Sequence, residues 1–159
     1  MLHVRSLEEV ENARRAIARI GKLSDNIVGI GPFGIGIDGI LAWIPGLGDL
    51  YSLAAGGMLL LLGVRTRAPL TSLIQVGVIV GARTTIGAAA IPLLGPLYPL
   101  SGAVVDLFRG HKMSADLLIK AMDKTLYVEG HRNELQSNPA LADQVATARA
   151  QGLRIVHLG

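Results

Sequence analysis

The stretch Asp38 to Asp49, DGILAWIPGLGD, decides how the rest of the chain is read, and Thr85 to Pro96, TIGAAAIPLLGP, echoes it. Pro45 lacks a backbone donor and restricts the residue before it, so two helical turns over Ile37–Ile44 end there. Asp38 stands at the start of those turns, beside Gly39. Gly46 and Gly48 let the chain turn, and Asp49 is suited to cap a helix over Leu50–Val64, where amides lack partners. Aligning Ile44-Pro45 on Ile91-Pro92 sets Gly48 on Gly95, Asp38 on Thr85 and Asp49 on Pro96. Two copies of short helix, proline turn and long apolar segment predict a pseudo-repeated pair of helical hairpins.

Outward from that stretch, charge disappears. Leu50–Val64, Ala68–Ala82 and Thr84–Val105 carry none, and Arg65, Arg67 and Arg83 are the only cations between Asp38 and Asp106. Of the 159 residues, 50% are apolar and 17% charged, against roughly a quarter charged in a soluble domain. A helix over Leu50–Val64 is apolar all round, the pattern of burial in protein or in lipid. Arg65 and Arg67 close it at the end where cations are favoured. Pro69 opens a second apolar helix to Gly81, and Gly77-x-x-x-Gly81 offers a face for close helix packing. Arg83 comes next in apolar territory, so its guanidinium must be paired, hydrated or drawn to a polar boundary. A short helix over Thr84–Ile91 then ends at Pro92, and Pro96 and Pro99 break the chain again before Ser101.

The flanks are ordinary polar protein. Ser6 and Glu9 read as a capping box. Val10, Ala13, Ile17 and Ile20 then form one stripe of a helix over Leu7–Leu23, docked on the rest or lying at a membrane interface. GIGPFGIG, Gly29–Gly36, contains Gly-x-Gly-x-x-Gly, but Pro32 interrupts it and no strand–helix–strand unit surrounds it, so it is a glycine-rich turn and not a dinucleotide fingerprint. Met113–Val128 has helical spacing. Asn138-Pro139 starts a last helix with Val145 and Ala148 inward and Gly152 at its end. LRIVHL is an edge strand or an extended tail. The fold expected is all-α: an amphipathic helix over residues 1–28, apolar glycine- and proline-rich hairpins over 29–128, and a polar tail over 129–159 with one helix.

The residues of the first motif carry a resemblance. Ile37, Asp38, Gly39, Ile40, Ile44, Pro45, Gly46, Gly48 and Asp49 fall as in the pattern LDxLxGxIPGxGD, and a second copy keeps Gly87, Ile91, Pro92 and Gly95. The pattern resembles that of the bacterial domain-of-unknown-function family 4112 from about Leu23 to Met122. In the second copy Thr85 and Pro96 stand where the family has acids, and Asp106, Leu107 and Phe108 bring its Phe-Asp-like ending late. The resemblance implies a small membrane-associated protein, in a bacterial inner membrane, and brings no activity.

Several chemistries are excluded or unsupported. There is no cysteine, hence no disulfide and no thiolate. His3, His111, His131 and His157 are too separated for a zinc spacing, and no serine sits in a nucleophile elbow. The net charge of +3 is modest and scattered, so no nucleic-acid partner is expected. The start is too acidic for a secretory signal. No cofactor is expected. A metal-dependent enzyme would gather Asp38, Asp49 and Asp106, with His111, around magnesium or calcium; a soluble helical bundle is the other alternative. The reading carried forward is a non-enzymatic structural or accessory protein. It sits in a lipid bilayer or a membrane-protein complex, packed as a homo-oligomer or as a subunit.

Overall fold

The apolar stripe near the N-terminus dictates the first docking. The computed structural model describes residues 3–25, 28–30, 33–35, 47–94, 110–130 and 137–159, with 24, 25, 28–30, 33–35, 47–49, 52, 83, 84 and 86–94 described by backbone alone. Helix α1 runs over Leu7–Asp25. Ser6 Oγ accepts from the Glu9 amide at 3.2 Å. The Glu9 carboxylate reaches one residue further back than in a full capping box and accepts from the Arg5 amide at 2.9 Å. Val10, Ala13 and Ile17 are buried, Ile17 completely.

The glycine-rich segment after α1 is a hairpin. Strands β1 (Val28–Ile30) and β2 (Phe33–Ile35) pair antiparallel, with Gly29 opposite Gly34. The two apolar helices are longer than the sequence pattern suggests: α2 covers Leu47–Arg65 and α3 covers Leu70–Leu94. Asp49 is therefore the third residue of α2, not the residue that caps it. Leu47 is a good helix former and Gly48 only weakens a helix, so nothing holds these two outside it. Helix α3 continues through Arg83 and Pro92, where a break was expected. A charge does not break a helix, and a proline in its last turn removes one hydrogen bond.

Among the described residues, no helix is long and apolar enough to cross a membrane. The charge-free runs Leu50–Val64 and Ala68–Ala82 each fall short of the roughly 20 residues a span needs.

Helix α4 (Gly110–Asp123) ends before the pattern predicts, and Thr125–Glu129 is strand β3. Thr125, Tyr127 and Val128 are β-branched or aromatic and suit a half-buried pleat. After helix α5 (Pro139–Ala150), strand β4 (Arg154–Leu158) returns to pair with β3 in parallel, from Thr125 opposite Arg154 to Glu129 opposite Leu158. The chain is thus mostly helical with a small parallel sheet, and not all-α. Helix α5 begins as its sequence indicates: Asn138 Oδ1 accepts from the Leu141 amide at 3.3 Å, with Pro139 in the first turn.

The core lies where α1, α2, α3 and α4 meet, around Ile17, Leu59, Val76 and Leu118. Three glycines let the helices approach. A Cβ at Gly21 would stand 2.9 Å from Ala115 Cβ, one at Gly56 2.5 Å from Val80 Cγ1, and one at Gly63 2.7 Å from Leu73 Cδ2. The last two pairs share one register, which fixes α2 and α3 as an antiparallel hairpin.

Candidate interaction surface

The turn of this hairpin is built from remote parts of the chain. A helix end leaves carbonyls without partners, and buried ones must be satisfied. The Arg67 amide donates to Val64 O at 3.0 Å and the Ala68 amide to Gly63 O at 2.8 Å. Arg67 is at φ 52. This is a Schellman turn with arginine where glycine is usual.

Four successive carbonyls then find partners elsewhere. His3 Nδ1 lies 3.2 Å from Val64 O, donating as the Nδ1–H tautomer. The Val4 amide donates to Arg65 O at 3.0 Å, the Tyr127 hydroxyl to Thr66 O at 2.9 Å, and the Arg154 guanidinium to Arg67 O. The Arg67 guanidinium donates to His157 O at 2.7 Å. Burial pushes the Tyr127 phenol above its ordinary 10.0, against the lowering effects of Arg154, the Thr66 side chain and Arg14. The turn end is a fixed polar platform.

Away from that platform the hairpin offers apolar side chains to the outside. On α2, Leu50, Leu53, Met58 and Leu61 are exposed, and on α3 Leu70, Ile74 and Val78, with relative exposures from 45% (Leu61) to 71% (Leu70). On α3 they recur every four residues, and on α2 at intervals of three, five and three, which keeps each set on one side of its helix. Among them lie Gly57, Gly77 and Gly81, where an added Cβ would meet nothing within 4 Å. Among the described residues, Gly77 and Gly81, the packing face expected from the sequence, therefore close no contact. Gly56 and Gly63 do.

Asp38, Gly39, Pro45, Gly46, Gly95 and Asp106 lie outside the described residues, as does His131. Gly48 and Asp49 are in the first turn of α2, and Pro92 is near the end of α3. His3, His111 and His157 belong to three different parts of the fold, and His111 is fully buried in α4. Among the described residues no group of three or more His, Asp or Glu side chains is arranged to hold a metal. The outer rows were not separable from the inner ones by sequence, because both are Leu, Val and Gly. A signal does exist: Gln75 and Thr71 mark the polar edge of the exposed side of α3.

Fold and surface together define a class: a glycine-packed apolar hairpin, docked on an amphipathic helix and tied at its turn by a two-stranded ladder. The chain belongs to the family described as Domain of unknown function (DUF4112), which it matches over residues 13–122. That span runs from inside α1 to inside α4, so β3, α5 and β4 lie beyond it. No curated protein and no solved structure matches the chain.

Proposed function

We propose that this protein is a non-enzymatic, membrane-associated structural or accessory protein, held at the bilayer by the outer rows of α2 and α3. The observation that carries the reading is the exposure of Leu50, Leu53, Met58 and Leu61 with Leu70, Ile74 and Val78. Contiguous exposed apolar surface marks a membrane or protein contact. A helix that does not span can lie with such a face sunk into the headgroup–acyl boundary. In that setting Gly57, Gly77 and Gly81 leave room for a helix of another copy or of a partner subunit to come close.

The test is fractionation of cells, with the membranes washed in high salt and then in carbonate. The expected result is protein that stays with the membranes through salt. Intact protein recovered from the clear supernatant, monodisperse without detergent, overturns the reading in favour of a soluble bundle. Replacing Leu53 and Val78 with serine should move protein into the supernatant without unfolding it, since both side chains are more than half exposed.

A further inference from the structure

Helix α3 carries a second row beside its apolar one. Thr71 and Gln75 immediately follow Leu70 and Ile74, so along the first turns a polar row and an apolar row run side by side. The polar row, with Ser72, forms one wall of a cleft of about 390 Å³ whose other walls hold Lys120 and Lys124 of α4 and Arg154 of β4. Among the described residues no acid lines this cleft. The nearest acid along α4, Asp123, is engaged with Arg14. Lys120 and Lys124 stand one helical turn apart, are exposed, and make no side-chain hydrogen bond or ion pair among the described residues. Arg154 is held in place by its bond to Arg67 O.

Three cations around a hollow that Pro69, Leu117 and Ala121 also line, with hydroxyls and an amide opposite, suit a phosphate group carried on an apolar body: the cations supply charge and the neutral donors complete its oxygens. The adjoining apolar row suits an acyl chain. We infer that this cleft takes the phosphate of an acidic phospholipid headgroup, while Leu70 and Ile74 contact the same lipid layer. The inference rests on the membrane reading above and adds the lipid class to it. A basic cleft alone would serve a soluble phosphate equally well; the apolar row beside it favours a lipid.

The test is co-sedimentation of the full chain with vesicles of phosphatidylcholine alone and of an equimolar mixture with phosphatidylglycerol. Wild type is expected to bind the mixed vesicles more tightly. The Lys120→Gln/Lys124→Gln variant should lose about thirtyfold on the mixed vesicles, from two cations near an anionic surface, and nothing on phosphatidylcholine. Arg19→Gln/Lys22→Gln on α1 removes the same charge away from the cleft and should keep most of the preference. Its thermal unfolding and that of the lysine variant, compared with wild type, show that each is folded.

Equal binding of wild type to both vesicles, or a lysine variant that keeps the preference, overturns the cleft and leaves the membrane reading standing. Binding to neither vesicle removes the membrane reading itself. A thermal stabilisation by inorganic phosphate at constant ionic strength, lost in the lysine variant and matching that by mixed vesicles, would assign the cleft to a soluble phosphate and overturn the lipid.

Discussion

Helices α2 and α5 end in the same backbone motif with different residues in the strained position. At the end of α5, Gly152 has φ 72, its amide donates to Arg149 O at 2.9 Å, and the Leu153 amide donates to Ala148 O at 2.9 Å. At the end of α2 the corresponding residue is Arg67, at φ 52. Glycine takes a left-handed conformation without steric cost, whereas arginine pays for its Cβ. One end is a local stop at the surface. The other accepts strain because the arginine side chain reaches His157 O and its carbonyl receives Arg154. Local motifs end helices; the residue in the motif records what the end is fastened to.

That contrast can be broken by substitution. Arg67→Ala keeps the strained backbone and loses a charged hydrogen bond, so it should cost about 2 kcal/mol in chemical denaturation. Gly152→Ala adds a Cβ that meets nothing within 4 Å, so its cost is conformational alone, about 1.5 kcal/mol by the same measurement. Arg67→Gly removes the tether and relieves the strain together, and should cost about 1 kcal/mol. The two Arg67 variants thus differ by the strain itself. An Arg67→Gly protein less stable than Arg67→Ala would show that the left-handed backbone costs nothing here.

An effect as small as that of Arg67→Gly is expected at Tyr127. Tyr127→Phe leaves Thr66 O without its donor and should cost about 1 kcal/mol near neutral pH. Because burial raises the folded-state pKa of this phenol above 10.0, the protonated form is favoured by folding. That contribution is present below pH 10.0 and is lost as pH rises through the raised value. Melting of wild type above pH 10.0 should therefore fall more steeply than that of Tyr127→Phe. Parallel alkaline slopes would mean that the phenol is solvated.

The features legible in the sequence were local. Ser6, the Val10–Ala13–Ile17 stripe, Asn138 with Pro139, and Gly152 each act within a few residues and are found in the expected role, and Glu9 departs from it by one residue. Features that join distant segments were not legible. Thr125–Glu129 continues the helical spacing of α4, and only its parallel partner at Arg154–Leu158 makes it a strand. Gly56 and Gly57 are identical neighbours, yet one faces Val80 and the other open space. On a helix apolar all round, no periodicity distinguishes them. The same holds for Lys120, Lys124 and Arg154, which the ladder brings to one cleft. The acidic motif residues Asp38 and Asp106, on which an enzyme reading would depend, lie outside the described residues.

The tether at the hairpin turn also has a consequence in time. Arg67 and His157 are 90 residues apart, and Arg154 is 87 from Arg67. A ribosome adding 5 to 20 residues per second needs roughly 5 to 20 seconds between making the turn and making the residues that fasten it. Once α3 has followed the turn, both helices exist as nascent chain for the rest of that interval, with their apolar rows uncovered and their turn held by its own backbone and by His3 and Val4. The order of synthesis therefore presents the greasy hairpin before its polar anchor, so that whatever captures it, a bilayer or a chaperone, can act before the fold is closed.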